Sequence, residues 1–252
     1  MISFAFLALS AVGAGACVSS AAYTSRVQQA NPISTGQMLT VNGHGVNVLT
    51  AGTDGPPVLM IHGASANARE FSWTLAPRLL DRPDLVEGLV LSAPVSHDWG
   101  GGGQAWYNGL SASPVIGPVF TQLVPTVGPA QVKAGINGVF DPAPVPENYF
   151  ENSAIGLLFR PPNFRANAKD VRALEAELAA QSTRYPELKM PIVVFSGSKD
   201  TVIKPKLHVG ELKKQVPVEL VILPDEGHMP HHAHGDDVAN AIRRLAMNGK
   251  SR

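Results

Sequence analysis

The chain has 252 residues, 44% of them hydrophobic and 16% charged, with 20 basic side chains against 20 acidic and no net charge at neutral pH. That balance excludes the basic surface that nucleic acid requires, and the length fits one domain with room for a core. A single cysteine, Cys17, excludes any disulfide within the chain.

Residues 2–18 are apolar and uncharged, and the first charge is Arg26. Such a segment is either a signal peptide or a short anchor, so residues 1–25 are set apart from the body, which is expected to be membrane-anchored or exported to the cell envelope. Ala14, Gly15, Ala16 and Cys17 loosely match a bacterial lipoprotein cleavage box, but the large aliphatic residue three before the cysteine is missing. No basic residue precedes the run and Arg26 follows it, which by the positive-inside rule argues against export of the body.

Residues 36–51 alternate apolar and polar around Asn42, Gly43, His44 and Gly45, the pattern of a β-hairpin. The continuous apolar run 57–61 predicts a buried strand, ending in His62, Gly63 and Ala64. A helix over 70–80 and a strand in 89–95 follow. The stretch 99–185 carries most of the aromatic residues, among them Trp106, Tyr107, Phe120, Phe140, Tyr149 and Phe164. Prolines break it into short helices, apart from a periodic helix over 166–180 that presents Val171, Leu174 and Leu178. These aromatics either line an apolar substrate site or only pack against one another.

The remainder is organised around residues 190–232. Two β-branched runs, 192–195 and 218–223, read as buried parallel strands joined by a helix over 206–215. Asp200 stands just past the C-terminal end of the first strand and His228 just past the end of the second. Ligands bind at that edge of an open α/β sheet, and an acid beside an imidazole there can orient and shuttle a proton for a nucleophile. His231, His232 and His234 lie close by, but without matched carboxylates or cysteines they do not make a metal site, and no cofactor is called for.

A hairpin, a buried strand ending in His-Gly, and late strand-Asp and strand-Gly-His units resemble the α/β-hydrolase fold of esterases, lipases and hydrolytic dehalogenases. HGASANAREF, SGSKD and PDEGHMPHH carry the resemblance. It implies an α/β fold with a mostly parallel twisted sheet and flanking helices, its core formed by 36–98 and 186–250, with a helical cap over 99–185. It also implies His228 and Asp200 as catalytic residues, the Ala64 backbone N–H as an oxyanion-hole donor, and a small apolar ester or acyl compound as substrate.

The chain departs from that pattern in one large respect. Three helices, two strands and their loops, about 75 to 80 residues, normally separate His-Gly from the strand after the nucleophile helix. Here only residues 64–83 intervene, so two central strands and the nucleophile elbow are missing. No G-x-S-x-G occurs. Ser65, Ser92, Ser111 and Ser113 sit outside any elbow and read as solvated or capping residues, leaving the nucleophile unknown. Val95-Ser-His-Asp98-Trp-Gly resembles the aspartate elbow of haloalkane dehalogenases and epoxide hydrolases. The glycines after it, however, oppose the helix an elbow launches. Three readings stand: a serine-hydrolase relative of little or no activity, an aspartate hydrolase using Asp98, and a non-catalytic membrane-tethered binding module. For the sheet, the expected repair is that 58–61 pairs directly with 89–91, at low stability.

Overall fold

A computed structural model describes residues 2–31, 37–41, 43–48, 57–61, 63, 65, 87–99 and 105–249, with side chains from Ala14 onward except at His44 and 248–249. The helix expected over 70–80 lies outside these residues. Two sheets are present among them. Strands β1 (Gln37–Val41) and β2 (His44–Val48) form the expected antiparallel hairpin, with Gln37 opposite Val48 and Val41 opposite His44. Gly43, at φ +79°, supplies the positive φ that so tight a turn demands.

The second sheet is parallel, in the order β3 (Leu89–Ser92), β4 (Ile192–Gly197), β5 (Glu219–Leu223). Leu89 stands opposite Ile192, and Val193 opposite Glu219. Helix α7 (Pro205–Gln215) is the crossover between β4 and β5, as a parallel pair requires. Alternation along β4 builds two cores. Ile192 and Val194 face Val209 and Leu212 of α7, together with Val216, Tyr185 and Met190. Val193 and Phe195 face Leu223 and, from helix α9 (Gly235–Gly249), Ala241 and Leu245. Every residue of β4 is buried, as the apolar run 192–195 predicts, whereas the expected burial of the second strand is not seen: β5 stands at the edge of the described sheet and only its Leu223 is buried. At ~1.5–3 kcal/mol for each fully buried large apolar side chain, these two layers hold the body together.

The expected repair of the sheet is not seen. Residues 57–61 adopt no strand, join neither sheet, and leave Val58, Leu59 and Met60 exposed. Among the described residues β3 pairs only with β4, and the hairpin pairs only with itself. The buried strand expected over 57–61 is therefore not formed, because a strand needs a neighbour's backbone groups as well as apolar side chains.

Helix α1 (Ile2–Ala30) runs five residues past the segment set apart above. It stops at Asn31, which precedes Pro32 and whose side-chain amide donates to the Val27 carbonyl at 3.0 Å. The stretch expected to form a cap follows β3 and comprises α2 (Trp106–Ala112), α3 (Gly117–Phe120), α4 (Val124–Phe140), α5 (Tyr149–Asn152) and α6 (Pro161–Ser182), with 3-10 turns between them. Helix α6 starts five residues before the predicted 166, because Pro161 and Pro162 occupy its first turn, where a missing N–H costs nothing. Ala168, Leu174 and Leu178 form its buried face. A short helix, α8 (Pro230–Ala233), links the end of β5 to α9.

Candidate active site

Asp200 is placed by the turn that ends β4. Its carboxylate Oδ1 accepts the N–H groups of Val202 at 2.9 Å and Ile203 at 2.8 Å, which fixes the plane of the group. Oδ2 is left for the His228 Nδ1 at 3.0 Å. A carboxylate only accepts, so the Nδ1 carries the proton and the Nε2 is the ring nitrogen turned away from Asp200. The Asp200 side chain is wholly buried, while the His228 side chain is 22% exposed. An imidazole oriented from behind and open in front can accept a proton from a substrate, water or hydroxyl.

Two backbone approaches hold His228 in place. Gly197, at the end of β4, lies so close to the Glu226 and Gly227 carbonyls that a methyl group has no room. Gly227 in turn presses on the Phe140 and Asp141 carbonyls at the end of α4, and the His228 N–H donates to the Val139 carbonyl at 3.2 Å. The end of α4 is therefore fastened to the residue that meets Asp200.

The serines behave differently from one another. Ser113 Oγ accepts the Ile116 N–H at 3.2 Å, as expected of a capping residue. Ser65, at φ +64°, gives its N–H to Asn167 of α6 at 2.7 Å. Ser111 is fully buried rather than solvated or capping. Ser92 lies at the end of β3 with its Oγ 3.3 Å from the Nδ1 of His231, a pairing that the sequence reading missed. The available signal was the spacing of His228 and His231, three apart, with Pro230 between them opening a helical turn that brings the second imidazole toward the same edge. Burial, with His232 and His228 beside it, pushes His231 down to about 4, so it is neutral at pH 7.

Ser92 does not sit on an elbow. Ala93, at φ +44°, gives its N–H to the Phe195 carbonyl at 2.8 Å, and Pro94 has none, so neither residue after Ser92 offers an oxyanion donor. The Ala64 N–H lies outside the described residues. Asp98 is exposed in the loop after β3, six positions past the strand end, and the next described helix begins at Trp106. Its neighbours Ser96 and His97 are occupied elsewhere. Ser96 Oγ donates to the His208 carbonyl at 2.8 Å, and Tyr185 Oη donates to the Ser96 carbonyl at 2.7 Å. Burial lowers both His97 and His208 and pushes the Tyr185 phenol up to about 12, which keeps this cluster uncharged. Among the described residues, no three His, Cys, Asp or Glu side chains converge as metal ligands.

No family model and no curated protein matches the sequence. Solved structures do match by fold. A membrane phospholipase A, a bacterial virulence factor, aligns over 100% of both chains at a TM-score of 0.60 and 15% identity. The fold is a reduced α/β-hydrolase fold. A 2-hydroxy-6-oxo-6-phenylhexa-2,4-dienoate hydrolase of Rhodococcus aligns at TM-score 0.49 and 16% identity, over 69% of this chain and 61% of that one. A haloalkane dehalogenase of Bradyrhizobium elkani gives 0.46 and 15%, over 70% and 64%. Scores that low add no weight, and this chain spans about three fifths of the length of those two proteins.

Proposed function

We propose that the chain is a carboxylic-ester hydrolase relative in which Asp200 and His228 keep the acid–base half of a triad. In this form it turns over small apolar esters slowly or not at all. The observation that carries the reading is the His228 to Asp200 hydrogen bond of 3.0 Å at the C-terminal edge of a parallel sheet, with a buried acid and an open imidazole. Triad members act as a unit, and removal of the serine alone costs on the order of 10⁶ in kcat. No described serine combines contact with His228 and a free N–H behind it. Residues 1–25 tether the body to a membrane in this reading, since α1 begins in a segment without charge.

The test is pre-steady-state mixing with an activated acyl ester, alongside a fluorophosphonate probe. We expect no burst, no stoichiometric label, and a slow linear turnover that falls further in His228→Ala. A stoichiometric burst abolished by replacing one particular serine overturns the claim of inactivity. Haloalkane or epoxide turnover that disappears in Asp98→Asn would move the assignment to the aspartate mechanism.

A further inference from the structure

The cap carries a second feature that the Asp200–His228 site does not use. From Trp99 to Val132 the chain has no Asp, Glu, Lys, Arg or His. Within it, Trp106 is 74% exposed, Val115 80% and Val119 72%, and Ile116, Leu123 and Val127 are exposed as well. Val119, Leu123 and Val127 recur every four residues from α3 through the turn 121–123 into α4, which aligns them along one face. Trp106 meets Phe120 edge to face, with 6.2 Å between ring centres, and so borders the same patch. Isolated exposed apolar residues are ordinary, but a contiguous charge-free face marks an interaction surface.

The charge-free N-terminal stretch lies against this one. Helix α1, uncharged up to Arg26, packs along the turn 121–123 and α4 and is fastened there by Tyr23, whose Oη donates to the Gly156 carbonyl at 3.0 Å. Ser20 is buried in that contact, and Val18, nearer the apolar end, is exposed. Two guanidinium groups of α6 lie against the same segment: Arg165, half-buried, donates to the Ser113 carbonyl at 3.3 Å, and the exposed Arg172 lies over Gly109. Among the described residues no single helix is long and apolar enough to cross a membrane. The pair 106–112 and 117–140 reaches that length and hydropathy together, but is bent by 113°. So sharp a bend suits a structure lying in the interface plane rather than one crossing the bilayer.

We propose that the cap face formed by Trp106, Val115, Ile116, Val119, Leu123 and Val127 docks into the headgroup and acyl boundary of a lipid bilayer, beside α1. The occupant is lipid because the face offers apolar side chains without a charge, has the exposed Arg172 guanidinium beside Gly109 of the same segment for a phosphate headgroup, and continues into the apolar helix. Helix α4 then joins two environments. Its first turn lies at the bilayer and its last holds His228, ~25 Å away at 1.5 Å per residue. The proposal stands apart from the esterase reading, since it uses neither Asp200 nor His228.

The experiment reconstitutes the full chain in phosphatidylcholine and phosphatidylglycerol vesicles and reads the fluorescence component lost in Trp106→Phe. We expect that component to be quenched at least twofold by lipids brominated near the headgroup end of the acyl chain, and to be shielded from aqueous iodide. In Val119→Asp/Leu123→Asp, and separately in Val115→Asp/Ile116→Asp, lipid quenching should vanish and iodide quenching appear, while flotation with vesicles through α1 and the circular dichroism spectrum stay unchanged. A Trp106 reached by iodide and untouched by bromolipid overturns the proposal. So does a Trp106 shielded from both, which would place the face against another protein or a second copy.

Discussion

Mild acid should destabilise this protein before most of its carboxylates are protonated, and His231 sets much of the effect. Its imidazole sits at about 4 in the folded chain, chiefly through burial and secondarily through His232 and His228, against ~6.5 for an unfolded histidine. As pH drops below ~6.5 the unfolded chain takes up a proton that native His231 refuses, so stability is full above that pH, falls as pH falls, and stops falling near pH 4. At ~1.4 kcal/mol per pH unit the loss is ~2 kcal/mol at pH 5 and ~3 kcal/mol at pH 4, out of a typical total of about 5–15 kcal/mol. His97 and His208 are also lowered, mainly by burial, and add loss of the same sign. The assay is urea unfolding in mild detergent at pH 8, 6.5 and 5, for the wild type and for His231→Gln, which keeps a polar group near Ser92. Between pH 8 and pH 5 the wild type should lose ~2 kcal/mol more than the variant. Parallel pH curves for the two proteins would refute the reasoning.

Three further outcomes follow from the site and its supports. In Asp200→Asn the Nδ1 proton of His228 loses its acceptor, so its downfield proton NMR signal should disappear; persistence of the signal would remove Asp200 as the orienting group. Gly227→Ala puts a methyl group against the Phe140 and Asp141 carbonyls and should cost ~1–3 kcal/mol in chemical denaturation, with the cap shifted off His228. A variant as stable as wild type would show that the approach is loose. Tyr185→Phe leaves the Ser96 carbonyl without its 2.7 Å donor and should cost ~1–3 kcal/mol, and a loss below ~0.5 kcal/mol would mean that water replaces the hydroxyl.

What the sequence made legible is mostly local. Strands β4 and β5, helix α7 and the meeting of Asp200 with His228 all belong to one strand–helix–strand unit, where run length and turn residues determine both the elements and their mutual position. The hairpin was legible for the same reason, with Gly43 at positive φ between its two strands. Helix α9 was not anticipated, although Val238, Ala241 and Leu245 keep helical spacing and close one face of the sheet. Residues 57–61 show the opposite failure. Their composition is that of a strand, yet pairing depends on which neighbour is available, and the spacing of distant runs carries no information on that. Ser92 and His231 lie far apart in the chain, so their contact could be found only once β3 had been laid beside β4.

The proposed reading, an acid and a base without a nucleophile, has a physical logic. In that reading the acid and base are held by contacts that strand ends and a neighbouring helix supply: two N–H groups for Asp200, Asp200 for His228, and the end of α4 for the His228 backbone. A serine nucleophile asks for something a regular strand cannot give. It must stand where the chain leaves the ladder, so that the next N–H is unpaired and can meet an oxyanion. Ser92 reaches an imidazole, but Ala93 is still bonded to Phe195, so the ladder continues one residue too far. Placing a hydroxyl within reach of a histidine is therefore the easier half of building a serine hydrolase site. The harder half is leaving the following N–H unbonded, and β3, paired with β4 through Ala93, does not do so.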